Sequence, residues 1–209
     1  MEAWDDIWGR FEGISLFGRR LKGEQAKALA KIVSELKLPK DSKIIDVGCG
    51  IGANLVIFRN LGYSNSIGID TSQNALEISA RLFALRKGKD TFLMDARNIK
   101  FLDNSFDLVF SDGLLEHFED PPLDIVGELC RISKKWILLF QPNQTSLFGR
   151  VKWLYQKLGK ASWAKEYPYS KRDYVTMFAK FRFSLAGFGS INLQEAMWLL
   201  LSKERTSVQ

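Results

Sequence analysis

Short β-branched runs alternate with stretches of helical periodicity along most of this chain, and that alternation restricts the fold more than any single residue does. Residues 20–37 carry Leu29, Ile32, Val33 and Leu36 at i, i+3, i+4 and i+7, the stripe of an amphipathic helix, and Pro39 and Asp41 then stop it. Residues 43–47 form a β-branched run ended by glycines, so a strand that enters a turn. A helix follows over 53–60 with Leu55, Val56 and Phe58 inward. A second strand spans 66–70. The next helix is capped by Thr71 or Ser72 and turns Leu76, Ile78, Leu82 and Phe83 toward a sheet. Residues 91–94, 106–110 and 136–140 read as three more strands, and a helix between the last two starts near Pro121 and Pro122 and ends at Ile132. Strands and helices spaced in this way build βαβ units: an α/β, doubly wound, mostly parallel sheet with helices on both faces. Two later apolar runs, 183–193 and 196–201, are long enough to pair antiparallel at the edge of that sheet.

A length of 209 residues suits one such domain with elaborations. We expect residues 1–37 as an N-terminal helical cover and 38–209 as the main domain, with 144–182 as a basic, aromatic helical insertion. No apolar run approaches the roughly 18 residues of a membrane span, and the acidic start Met1-Glu2-Ala3-Trp4-Asp5-Asp6 is not that of a signal peptide. Cys49 and Cys130 make neither a disulfide framework nor a metal spacing, so no metal and a cytoplasmic setting are expected.

The chemistry centres on Asp46-Val47-Gly48-Cys49-Gly50-Ile51-Gly52, placed between a strand and a helix. Glycines there admit positive φ and let a ligand approach the backbone. Asp70 ends the second strand, where a carboxylate reaches both ribose hydroxyls, and Asp95 follows the third. All three acids fall at the carboxyl ends of adjacent strands, the crevice in which open α/β sheets bind ligands. A dinucleotide loop has its third glycine five positions after the first; here it comes four after, and Asp46 stands two before the loop. A carboxylate repels a pyrophosphate but attracts the ammonium and sulfonium of S-adenosylmethionine (SAM).

With these segments, with Phe106-Asp107-Leu108-Val109-Phe110 followed by Leu115-Glu116-His117-Phe118, and with Leu139-Phe140-Gln141-Pro142-Asn143, the sequence resembles the class I SAM-dependent methyltransferases, above all the small-molecule subgroup. The resemblance covers 43–143 and implies a seven-stranded, Rossmann-like sheet with its last strand reversed. It also implies roles for particular residues. Asp46 and the loop Gly48, Cys49, Gly50 and Gly52 would hold the methionine end, and Asp70, with Thr71 beside it, the ribose. Asp95 and Ala96 would contact the adenine, and the Ser111 backbone the ammonium.

His117, the only histidine, follows the fourth strand and has the pKa range of a general base for a hydroxyl or amine acceptor. The acceptor itself is the least legible part. Residues 144–209 hold 11 Lys and Arg against 4 acids, a net +7 that leaves the first two thirds near neutral. Within 144–182, Leu147, Val151, Leu154 and Leu158 can share a helical face with Arg150, Lys152 and Lys157 outside it. A cover over a small, apolar or anionic, lipid-like acceptor fits this pattern, with Tyr167 and Tyr169 in its pocket. A membrane surface or a nucleic acid also fits, so peripheral membrane association and RNA methylation are rival expectations, and a non-catalytic SAM-binding module a third. No obligate protein partner is implied.

Overall fold

In a computed structural model of the chain, the residues described are 4–5, 16–143, 146, 149–151, 154, 158, 165–167, 169–191 and 196–204. Seven strands form one sheet: β1 (Ile44–Val47), β2 (Ser66–Asp70), β3 (Thr91–Leu93), β4 (Phe106–Asp112), β5 (Ser133–Pro142), β6 (Phe183–Ile191) and β7 (Ala196–Lys203), in the spatial order β3-β2-β1-β4-β5-β7-β6. Strands β1 to β5 pair in parallel, and β7 runs antiparallel to both β5 and β6. The order reverses between β1 and β4, so the carboxyl ends of those strands frame a crevice.

The helices are α1 (Leu16–Glu35), α2 (Ala53–Asn60), α3 (Gln73–Phe83), α4 (Leu123–Ile132) and α5 (Lys171–Ala179), with a 3-10 turn over Leu115–His117. Because side chains alternate along a strand, each central strand feeds two cores. Ile44, Leu108, Phe110, Leu138 and Phe140 meet α1 and α2 through Leu29, Ile32, Val33, Leu55 and Phe58. Phe110 stands edge-on to both Phe58 and Phe140, with ring centroids 5.5 and 5.4 Å apart, the favoured geometry for aromatic pairs. Ile45, Val109, Ile137 and Leu139 meet α4 and α5 on the other face. Burial on both faces explains why these strands read as continuous apolar runs instead of alternating ones.

Three expectations are corrected here. Leu82 and Phe83 point out, 53% and 37% exposed, while Ala75, Leu76, Ile78 and Ser79 form the buried side of α3. Of the expected N-terminal cover, α1 packs against one face of the sheet through Leu29, Ile32 and Val33, and Trp4 lies at the crevice. The aromatic tail of the expected insertion is also core: α5 buries Tyr174, Met177 and Phe178, and a capping box at Ser170 and Asp173 fixes its start. Val56 is half-buried. Strands β4 and β5 both run two residues past their expected ends, which matters for the site.

Candidate active site

A cleft of about 110 Å³ opens at the carboxyl ends of β1, β2 and β4, lined by Trp4, Gly48, Gly50, Ile69, Asp70, Thr71, Met94, Ala96, Asp112, Gly113 and Leu114. Of the residues picked out in the sequence, Gly48, Gly50, Asp70, Thr71 and Ala96 line it.

The loop after β1 is held by its own backbone. The N–H groups of Gly48 and Cys49 both donate to the Ile69 carbonyl at 2.9 Å, and that of Gly52 to the Cys49 carbonyl at 2.9 Å. Gly50 donates to Asp70 Oδ2 at 2.7 Å. These donors are therefore spent within the protein, and the loop is not the nest of N–H groups that a pyrophosphate requires. Two glycines are needed on steric grounds. Gly52 has a φ of +77°, and a Cβ there would lie 2.5 Å from Leu85 Cδ1. In β2, a Cβ on Gly68 would lie 2.7 Å from Cys49 Sγ. Cys49 and Gly52 thus shape the loop from behind, and neither lines the cleft.

Asp46 lies directly behind the loop, fully buried; among the described residues neither of its carboxylate oxygens has a partner at hydrogen-bond distance, although the Asn54 amide nearby opposes the rise in its pKa. Burial, with the Asp112 and Asp70 carboxylates adding to it, pushes Asp46 well above the usual carboxylate range. An ionised Asp46 is therefore costly until a cation comes near. Asp70 is also raised, by burial, against the opposing N–H bonds from Ser72 and Gly50. Asp112, the last residue of β4, lines the cleft and accepts from Asn54 Nδ2 at 3.4 Å. Three carboxylates thus surround one glycine turn.

Other expected site residues lie elsewhere. Asp95 opens a turn beyond β3: its carboxylate accepts from the Arg97 N–H at 2.8 Å and is gripped by the Arg97 guanidinium at 2.6 Å, while Met94 and Ala96 on either side line the cleft. Ser111 is buried inside the lengthened β4 and donates its hydroxyl to the Val47 carbonyl at 2.8 Å; Asp112, Gly113 and Leu114 reach the cleft in its place. Tyr167 and Tyr169 are fasteners. The Tyr167 hydroxyl donates to Glu119 at 3.0 Å, and that of Tyr169 contacts the Phe118 and Glu119 carbonyls at 2.9 and 3.0 Å.

His117 lies behind Trp4, which lines the cleft. The two rings meet edge-on with centroids 4.8 Å apart. Its Nδ1 is 2.8 Å from the Lys165 carbonyl. A carbonyl only accepts, so Nδ1 carries the proton and Nε2 is the basic nitrogen of the neutral ring. Nε2 stands 3.8 Å from Glu116 Oε1.

Sequence reasoning missed Trp4, Asp5 and Asp112. Asp112 repeats a legible signal, an apolar strand ending in an acid, as β1 holds Asp46 and β2 ends in Asp70. Trp4 has no local signal. It is held over the cleft by Asp5, whose carboxylate accepts from Ser72 Oγ at 2.6 Å and from the Asn74 N–H at 3.0 Å at the start of α3.

A crevice of this kind, at the switch point of a doubly wound sheet with three carboxylates around a glycine turn, is suited to a cationic ligand. A family described as "Methyltransferase domain" matches residues 45–136. The chain is 29% identical over 158 residues to a demethylmenaquinone methyltransferase of Staphylococcus epidermidis, covering 72% of this chain and 65% of that protein. It is 25% identical over 152 residues to a phosphoethanolamine N-methyltransferase of Plasmodium falciparum, covering 71% of this chain and 51% of that one. The chain therefore spans about half to two thirds of the length of these relatives. In fold it is similar to the magnesium protoporphyrin IX methyltransferase of Synechocystis with bound SAH, with a TM-score of 0.71 at 17% identity, covering 95% of this chain and 94% of that one. Over residues 45–136 the chain is thus similar to methyltransferase domains, and in fold to a methyltransferase solved with bound SAH.

The residues present fit SAM, the cofactor that the sequence resemblance implies. The buried carboxylate of Asp46 and the half-buried carboxylate of Asp112, which lines the cleft, suit the ammonium end. Asp70 faces the cleft with acceptor capacity for ribose hydroxyls. Ile69, Met94 and Ala96 supply apolar walls for a purine.

Proposed function

We propose that the protein methylates a small acceptor of apolar, lipid-like or anionic character, with SAM as donor. The observation that carries this reading is the fully buried carboxylate of Asp46, without a partner at hydrogen-bond distance among the described residues, beneath a loop whose Gly48, Cys49, Gly50 and Gly52 N–H groups are already used. That combination disfavours a nicotinamide dinucleotide and favours a cationic amino acid nucleoside. The acceptor class draws on the two relatives, one named for phosphoethanolamine and one for demethylmenaquinone.

SAM supplies, when bound, a methyl group already activated by its sulfonium. The protein's task is then mostly to position and to shield. Asp46 and Asp112 bind the ammonium end, Asp70 orients the ribose, and Trp4 excludes water from above the cleft. His117 is the candidate base for an acceptor that must lose a proton, acting through Nε2 while the Lys165 carbonyl holds Nδ1.

Calorimetric titration with SAM and with NAD, followed by SAH release against phosphoethanolamine, a demethylated naphthoquinol and a carboxylated porphyrin, tests the reading. SAM binding and turnover with one of these acceptors is the expected result. Binding of NAD in place of SAM refutes the site assignment. SAM binding without transfer to any acceptor leaves a binding module in place of the enzyme.

A further inference from the structure

The helical segment that leaves the sheet after β5 exposes apolar side chains that the fold does not use. Val151, Leu154 and Leu158 are 51%, 52% and 58% exposed. Their spacing of three and four residues puts them on one side of a helix, a stripe about 10 Å long. The helical register is set at both ends of the stripe: Arg150 N–H donates to the Ser146 carbonyl at 3.0 Å, and Leu158 N–H to the Leu154 carbonyl at 3.0 Å. Aliphatic side chains lined up in water mark an interaction surface more often than isolated ones do.

The charge around the stripe has one sign. From Leu129 to Lys165 the sequence contains no Asp or Glu, and 144–165 contributes Arg150, Lys152, Lys157, Lys160 and Lys165. Aromatic residues Phe148, Trp153, Tyr155 and Trp163 are interspersed. An exposed aliphatic stripe in a stretch of sequence rich in cationic and aromatic residues matches the interface of an anionic bilayer: lipid tails take the aliphatic groups and headgroups the charge. A single-stranded nucleic acid would use the cations and rings but would leave the aliphatic stripe in water. A second copy of the chain would bring the same positive charge against itself.

The segment is also tied to the mouth of the cleft at both ends. It leaves the carboxyl end of β5, where Ser146 Oγ donates to the Asn143 carbonyl at 2.8 Å and accepts from Gly149 N–H at 3.0 Å. It returns at Lys165, whose carbonyl holds His117, and at Tyr167, whose N–H donates to the Glu116 carbonyl at 2.7 Å.

We infer that the stripe Val151, Leu154 and Leu158, with its basic surroundings, docks the protein on an anionic lipid surface, at the end of the sheet where the cleft opens. This stands apart from the acceptor's identity, since lipid binding is measured without turnover.

The test is co-sedimentation of the full chain with vesicles of phosphatidylcholine alone and of phosphatidylcholine containing one quarter phosphatidylglycerol. The wild type partitions onto the anionic vesicles, and less so as salt is raised. Val151→Ser, Leu154→Ser and Leu158→Ser together reduce partitioning by about tenfold or more, as does Arg150→Glu alone. Far-UV circular dichroism and SAM affinity of the variants stay at wild-type values, because no altered side chain belongs to the core or the cleft. If the triple variant does not fold, Arg150→Glu and Leu154→Ser singly carry the test. Equal binding to neutral vesicles, undiminished binding by the variants, or no binding by the wild type overturns the inference. So does loss of a concentration-dependent dimer, or of binding to a polyuridine probe, by variants of a protein that ignores vesicles. If SAM fails to bind while the vesicle result holds, only the proposed function falls.

Discussion

Replacing Asp46 with asparagine should make the ligand-free protein more stable and a worse binder of SAM. Asp46 is fully buried, its oxygens have no partner at hydrogen-bond distance among the described residues, and the Asp70 and Asp112 carboxylates repel its charge. An amide of the same shape removes the charge and offers N–H donors to those neighbours. The cost of leaving a buried polar group unsatisfied is about 1–3 kcal/mol, which sets the scale of the gain. For a chain of this length that corresponds to roughly 2–10 °C in Tm. The gain depends on pH in a defined direction. A carboxyl raised in the folded state favours folding while it is protonated, and that contribution is lost as pH rises from the ordinary value of 3.8 through the folded one. Wild type and Asp46→Asn should therefore be closest in stability in acid and diverge toward neutral pH. With SAM the sign reverses. Losing a charge-assisted contact to the ammonium costs about 1.5–3 kcal/mol, roughly ten- to hundredfold in Kd. Scanning calorimetry with and without SAM reads both effects. A lower Tm together with unchanged SAM affinity would refute the reasoning, because Asp46 would then be a structural carboxylate.

Four further outcomes are expected. Asp70→Ala weakens SAM binding by about 1–3 kcal/mol in titration calorimetry and loosens the loop by freeing the Gly50 and Ser72 N–H groups; unchanged affinity would remove the ribose assignment. Gly68→Ala drives a Cβ to 2.7 Å from Cys49 Sγ and 3.0 Å from Leu55 Cδ1, so denaturant titration should show a loss of about 1–3 kcal/mol. Asp5→Ala releases the clasp on Ser72 and Asn74, and stopped-flow Trp fluorescence should show SAM leaving several times faster. The Asp5 carboxyl is held below its ordinary pKa by those same bonds, so the clasp operates above that ordinary value and opens as pH falls through the lowered one. His117→Ala should cut turnover by about a hundredfold or more with SAM affinity intact if the acceptor needs a base; a flat wild-type rate between about pH 6 and 9 would deny it that role.

Local patterns in the sequence determined the architecture, because a doubly wound sheet buries both faces of its strands and so writes itself as apolar runs at regular spacing. The acidic glycine turn was legible for a related reason: a bend that must carry positive φ next to a strand end admits few residue types. Tertiary structure decided how the site is populated. Strand β4 runs two residues further than its apolar run, since pairing with β5 continues through Ser111 and Asp112, and this shifts the cleft wall from Ser111 to Asp112, Gly113 and Leu114. A turn after β3 put Met94 and Ala96 at the cleft and gave Asp95 to Arg97. Trp4 reaches the cleft through Asp5 contacts to residues nearly seventy positions away, and no spacing rule encodes such a contact. The aromatic residues of the basic third divided in the same way, Tyr174 and Phe178 into the core and Tyr167 and Tyr169 into tethers, because composition fixes what a segment can bury and only packing fixes where it does so.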